Sequence, residues 1–370
     1  MTPSARTMRS RFAACLLPLL LPLLITAPAA AQDYGVGISA TAPLISSSAW
    51  AAYRSAFLKS DGRIVDTGNN DISHSEGQGY GLLLSVAADD RASFEQIWTF
   101  TLTQLLIRDD GLAAWKWVPD ADPHITDINT ATDGDILIVL ALYKAADRWG
   151  IDRYRSHAQT MVKAIGNTLI TQQDNLQLIM PGSQGFSAEE RPDGPVVNLS
   201  YWVFAALDVF KQLDQATDWS TVKATGLILM KEARFGDVQL PTDWISVQPN
   251  QPPRPAQGFD PDFGYNSVRI PLYLIQAGIT DRSLLEPYDK AWNQNGNGEP
   301  AVVNVETNEV KQQLDAPGYK IQAALVACAM RGTPIPPDLQ KFEATDYYSS
   351  SLHLLALSVL AENYPRCLSN

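Results

Sequence analysis

Glu76, within Ser73-His74-Ser75-Glu76-Gly77-Gln78-Gly79-Tyr80-Gly81-Leu82-Leu83, is a carboxyl that could hand a proton to a leaving group. Glycines around one acid let backbone and substrate approach closely. A carboxyl beside an apolar helix start is also a place for a raised pKa, which a general acid requires. The same residues permit a structural reading, in which Glu76 complements the positive end of the helix that follows. A second candidate is the pair Asp133 and Asp135, separated by Gly134. Residues two apart on a helix point in different directions, so only one of the two needs to face a ligand, and helix capping is the competing explanation.

Trp115 and Trp117 lie in the loop Gly111-Leu112-Ala113-Ala114-Trp115-Lys116-Trp117. Indole faces stack on the apolar faces of sugar rings, and residues two apart in an extended loop share a side. The chain has nine Trp, so several must belong to the core. Tyr201, Tyr319, Tyr347 and Tyr348 are weaker candidates of the same kind. The histidines at 74, 124, 157 and 353 are dispersed and form no metal-ligand motif, although His74 is close enough to Glu76 to share its cleft. With no P-loop, dinucleotide fingerprint or G-x-S-x-G elbow, neither metal nor cofactor is expected.

These residues need a framework, and its pattern is helical. Apolar residues recur at three- and four-residue spacing near 47–59, 78–107, 132–149, 153–171, 199–213, 217–233, 266–278, 317–331 and 344–363, while strand signals are sparse. The run Ile136 to Leu142 is wholly apolar, so its helix must be buried on most sides and belongs to an inner layer. Long loops at 60–76, 108–131, 181–198, 236–265 and 293–317 are rich in Asp, Gly, Pro, Asn and Trp, and long ordered loops usually carry function. Successive helices with functional loops at one end suggest an all-α, α/α-barrel fold, although periodicity alone does not separate it from another large helical array. The Pro/Gln-rich piece 248–257 reads as a surface excursion within one domain.

At 370 residues, 45% hydrophobic and 18% charged, the composition is that of a globular chain. Arg6, Arg9 and Arg11 precede the apolar run Phe12 to Ile25, which ends in Ala29-Ala30-Ala31, so residues 1–31 read as a secretory signal peptide and 32–370 as the mature domain. The run is shorter than the roughly 20 residues a membrane-spanning helix needs, so no stable span is expected after cleavage. The net charge of −12 becomes more negative when the three arginines leave, which disfavours nucleic acid and suits neutral or cationic polymers such as polysaccharides. Cys328 and Cys367 remain in a compartment that permits a disulfide, though Cys328 could equally be a small buried hydrophobe.

From Trp50 to Tyr364 the chain resembles the family 8 glycoside hydrolases, especially endoglucanases that accompany bacterial cellulose synthesis. Ser75-Glu76-Gly77-Gln78-Gly79-Tyr80-Gly81 is similar to the family's SEGQSYG, and Ala131-Thr132-Asp133-Gly134-Asp135 to its ASDGD helix signature. Ala114 to Trp117, Asn198 to Tyr201 and Asp346 to Tyr348 are similar to further segments. The resemblance implies an (α/α)6 barrel with an open cleft that hydrolyses β-1,4-glucan with inversion, in periplasm or medium, either trimming nascent glucan in a functional link to the cellulose synthase machinery or degrading cellulose outside the cell. It also implies Glu76 as proton donor, Asp133 as a group that binds and distorts the sugar, and Tyr201 with Arg269 as residues placing the attacking water.

One segment departs from the family. Where many members read Tyr-Asp-Ala-x-Arg, with the Asp as general base, this chain has Tyr265-Asn266-Ser267-Val268-Arg269. An amide side chain does not take a proton from water near neutral pH, although Asn266 could orient that water. The acids of the neighbouring loop are Asp243, Asp260 and Asp262, of which Asp262, four residues from Asn266, is the first expectation for the base. Alternatives are a chitosanase or mixed-linkage glucanase of the same family, or a non-catalytic glucan-binding assembly protein.

Overall fold

A helix made from Ile136 to Leu142 has almost no polar side chain to turn toward water, so other helices must cover it. The computed structural model describes residues 42–295 and 297–368; the proposed leader lies outside them. It contains α1 (Ser47–Phe57), α2 (Ser75–Ala87), α3 (Arg91–Phe100), α4 (Thr132–Trp149), α5 (Asp152–Leu169), α6 (Phe204–Leu213), α7 (Trp219–Glu232), α8 (Ile270–Gln276), α9 (Arg282–Asp289), α10 (Pro317–Arg331) and α11 (Tyr347–Asn363).

Helices α2, α4, α6, α8, α10 and α11 form a closed ring: each packs on the next, and α11 returns to α2. Their surfaces show why they lie inside. In α4 every residue from Thr132 to Leu142 is buried, and in α8 every residue from Ile270 to Ile275. The outer helices are amphipathic. In α5 the buried residues Tyr154, Ala158, Met161, Val162, Ile165 and Leu169 follow one helical stripe that packs on α4. Helix α3 covers α2, α7 covers α6, α9 covers α10 and α1 leans on α11. The architecture is an all-α (α/α)6 barrel; the span 332–346 between α10 and α11 holds no helix.

The helical stretch expected at 78–107 is two helices. The chain turns at Asp89, whose φ is 57°, and Asp90 then caps α3 by accepting from the Ser93 amide at 3.1 Å. Helix α9 falls outside the expected segments, being only eight residues long with Pro287 inside it. Short antiparallel ribbons tie the loops at the cleft end. Ser73–His74 pairs with Lys116–Trp117, Ile245–Ser246 lies between Val196–Val197 and Arg254–Pro255, and Ala301–Asn304 lies between Asp262–Phe263 and Val310–Gln313. Cys328 at the end of α10 and the buried Cys367 form a disulfide. No helix among the described residues is long and apolar enough to cross a membrane.

Candidate active site

All six inner helices begin at the same cavity, of about 790 Å³. Glu76 comes from the first turn of α2, Asp133 from that of α4, and Tyr201 from the turn before α6. Asn266 precedes α8, Tyr319 starts α10, and Tyr347 and Tyr348 start α11. Local chemistry sets each of these starts. His74 caps α2 through Nδ1, which accepts from the Gly77 amide at 3.0 Å. Asn198 Oδ1 accepts from the Ser200 amide at 3.0 Å and turns the chain so that Tyr201 lines the cavity. Asp346 caps α11 by accepting from the Ser349 amide at 2.9 Å.

The glycines of the two acidic motifs are needed where α2 and α4 meet. A Cβ on Gly134 would lie 2.1 Å from Ser75 Oγ and 2.7 Å from the Glu76 amide nitrogen, and one on Gly79 would lie 2.6 Å from Leu137 Cβ. This close approach brings the Glu76 and Asp133 carboxyls together. Gln78 anchors the preceding loop, accepting from the Ile64 amide at 2.7 Å and donating to Gly62 O at 3.1 Å.

Arg269 joins the two acids from below. Its side chain is fully buried, with Nη1 2.5 Å from Glu76 Oε2 and Nη2 2.7 Å from Asp133 Oδ2. Nη1 also donates to the Tyr80 hydroxyl at 2.8 Å, which hydrogen-bonds the Tyr273 hydroxyl at 2.7 Å. Burial pushes the Asp133 carboxyl up to about 7, opposed by Arg269 and reinforced by the Glu76 charge. Burial is the largest single influence on Glu76 and acts to raise it, but Arg269, His74 and Asp133 together leave that group below its ordinary value. The two carboxyls act on each other in opposite senses, raising Asp133 and lowering Glu76, so they titrate as one linked pair.

Asp133 and Asp135 diverge. Asp135 is buried away from the cavity, accepting from the Ala113 amide at 2.9 Å and from the Thr130 hydroxyl, and thereby fastens the Trp115 loop to α4. Trp115 lines the cavity, its indole N–H donating to Asp127 at 2.8 Å. Trp117 does not share that side. It is buried against Phe100 and His124 with the Arg63 guanidinium over its ring, because its short strand pairs with Ser73–His74 and turns the indole inward. The expectation that both indoles present a sugar-binding face is therefore corrected for Trp117.

Asp262 is also displaced from its expected place. It stands in a strand paired with Asn304, its Oδ2 is 2.7 Å from Lys311 Nζ, and it is not among the residues lining the cavity. Asp260 is largely exposed and pairs with the same lysine. Asp243 lies behind Asn266. Its Oδ1 accepts from the amides of Gly264 at 3.0 Å and Ser267 at 2.9 Å, and its Oδ2 from the Asn266 amide at 3.3 Å.

Several lining residues were not singled out from sequence, among them Asp66, which pairs with His74 at 3.4 Å, and Tyr265, which meets Tyr319 and Tyr348 edge-on. Tyr80 and Tyr273 had a usable signal: they follow Glu76 and Arg269 by four residues, one turn of a helix.

Residues 29–362 match the family described as glycosyl hydrolases family 8. The chain is 35% identical over 85% of its length to a probable endoglucanase of Novacetimonas hansenii, 90% of which is covered. An endoglucanase of Cellulomonas uda is also 35% identical, over 71% of this chain and 72% of its own. Among solved structures, a family 8 endoglucanase of Klebsiella pneumoniae superposes with a TM-score of 0.77 at 33% identity, covering 85% of this chain and all of its own. An endo-β-1,4-glucanase of Acetobacter xylinum gives the same TM-score and identity, covering 85% of this chain and 97% of its own. A match that spans nearly the whole chain, on a barrel whose inner helices converge on Glu76 and Asp133, makes this protein a member of glycosyl hydrolases family 8.

Proposed function

We propose that the protein is an endo-β-1,4-glucanase that hydrolyses cellulose-type glucan with inversion. The observation that carries this reading is the Glu76–Asp133 pair, bridged by the buried Arg269 guanidinium at an open, tyrosine-lined cavity. Glu76 gives a proton to the leaving glycosidic oxygen while Asp133 holds the sugar at the point of cleavage. As the proton passes from the pair to the leaving group, Arg269 compensates the negative charge left on two carboxyls in a site of low dielectric. Tyr201, at the cavity wall, and the buried Arg269, through Asn266 Oδ1, help to place the attacking water; Trp115, Tyr319 and Tyr348 supply sugar-facing surface, whereas Tyr347 is buried against Phe57 and His74 and supports it from behind.

The domain is exported after loss of residues 1–31; the disulfide supports this, since such bonds persist in oxidising compartments. We assign it to the trimming of newly made glucan, on the likeness of the 75–81 and 131–135 segments to enzymes that accompany cellulose synthesis. The test is the release of reducing ends from carboxymethyl-cellulose, lichenan and chitosan. Release from the first, lost in Glu76→Gln by a factor on the order of 10²–10⁴, is the expected result. Preferential release from chitosan or lichenan would reassign the substrate, and binding without any release would leave a glucan-binding role.

A further inference from the structure

A proton must leave the attacking water of an inverting hydrolase, and at the position of the family's base this chain carries an amide. The surroundings of that amide fix its orientation. Arg269 Nη2, which only donates, is 3.4 Å from Asn266 Oδ1, so Nδ2 is the atom that faces Asp243 Oδ2, at 3.5 Å. Asp243 is held against the turn from both sides. Three backbone amides grip its carboxyl, and a Cβ on Gly264 would come within 2.7 Å of Oδ2. Asn266 lines the cavity and Asp243 does not, so the amide stands between the carboxylate and the cleft.

We propose that Asp243 is the terminal proton acceptor of the reaction and receives the water's proton through the side-chain amide of Asn266. The inference rests on the hydrolase reading above. The water oxygen bonds to the anomeric carbon, and the electron pair of the broken glycosidic bond stays with the leaving oxygen, which takes the proton of Glu76. One hydrogen of the water passes to Asn266 Oδ1 as one hydrogen of Nδ2 passes to Asp243 Oδ2, leaving the amide as its imidic acid tautomer. Return of the Asp243 hydrogen to nitrogen, and loss of the Oδ1 hydrogen to solvent, restores the amide; Glu76 regains its proton from solvent, so no net proton is made or consumed.

The 3.5 Å separation is long for a hydrogen bond, and contacts of this kind shorten when substrate is bound. Burial raises the Asp243 pKa despite the amides around it, which suits a group that must accept a proton. The charged groups around the relay are Arg269, in the turn just before α8, and, through it, Glu76 on α2 and Asp133 on α4.

The test uses the full mature chain with β-cellobiosyl fluoride, whose leaving group needs no acid, beside carboxymethyl-cellulose. The wild type and Glu76→Gln are expected to release fluoride, while Asp243→Asn loses release on both substrates by about 10²–10⁴-fold. Adding Asn266→Asp to Asp243→Asn puts a carboxylate at the water. It is expected to recover most of the activity, with the low-pH limb of kcat/KM moved from its wild-type position, because a different carboxylate then takes the proton. A merely structural Asp243 would leave the double variant as inactive as Asp243→Asn, and that outcome overturns the relay, as does full activity in Asp243→Asn. A wild type that releases neither fluoride nor reducing ends overturns the glucanase reading itself.

Discussion

The Glu76, Asp133 and Arg269 side chains form one electrostatic unit. Two carboxyls share one guanidinium, with the Tyr80 and Tyr273 hydroxyls extending the network. Two outcomes follow at the scale of single residues. The proton that the leaving oxygen needs is lost as pH rises through the Asp133 value of about 7, so kcat/KM on carboxymethyl-cellulose is expected to fall about tenfold per unit above it. Arg269→Met would leave two buried carboxyls without their cation. Both would be pushed to higher pKa, and the unfolding free energy measured in urea is expected to drop by about 3–5 kcal/mol. Arg269→Lys retains the charge without the two-pronged geometry, so its kcat should fall more than its stability.

Helix α4 shows how an element carries both site and scaffold. Its first turn sends Asp133 to the cavity and Asp135 to the Trp115 loop, and its glycine lets α2 approach. Gly134→Ala would force Ser75 and the Glu76 backbone away. The expected result is a loss of both activity and melting temperature, whereas exposed alanine substitutions on α5 leave both nearly unchanged. Asp135 supplies a test of pH-dependent stability. Burial raises its folded-state pKa to about 7, far above its value in the unfolded chain, so the folded protein binds the extra proton between roughly pH 4 and pH 7. Stability from this group is present at acid pH and declines as pH rises through about 7. Asp135→Asn is therefore expected to gain melting temperature relative to wild type on moving from pH 5 to pH 8.5.

At the scale of the molecule, the barrel closes when α11 packs against α2, and the chain beyond α11 is fastened by the Cys328–Cys367 bond. The bond spans 39 residues and restricts the unfolded chain. Removing it by Cys328→Ser with Cys367→Ala is expected to cost about 2–4 kcal/mol in denaturant unfolding, with kcat preserved because neither cysteine lines the cleft.

Much of this was legible in the linear chain for local reasons. A run such as Ile136 to Leu142 can form only a covered helix, and Asp133 and Asp135, two apart on a helix, had to diverge. The motifs around Glu76 and Asp133 carried the family likeness that the whole-length match bears out. Short or interrupted elements were not legible: Pro287 hides α9, and a left-handed residue at Asp89 divides one apolar stretch into two helices. Proximity was not legible either. Asp262, four residues from Asn266, is drawn to Lys311, whereas Asp243, 23 residues away, is folded directly behind it. Trp117, two residues from Trp115, is turned inward by strand pairing with the Glu76 loop. Periodicity reports which face of an element meets water; which loop meets which depends on packing between residues distant in the chain, and that was decided only by the closed ring of helices.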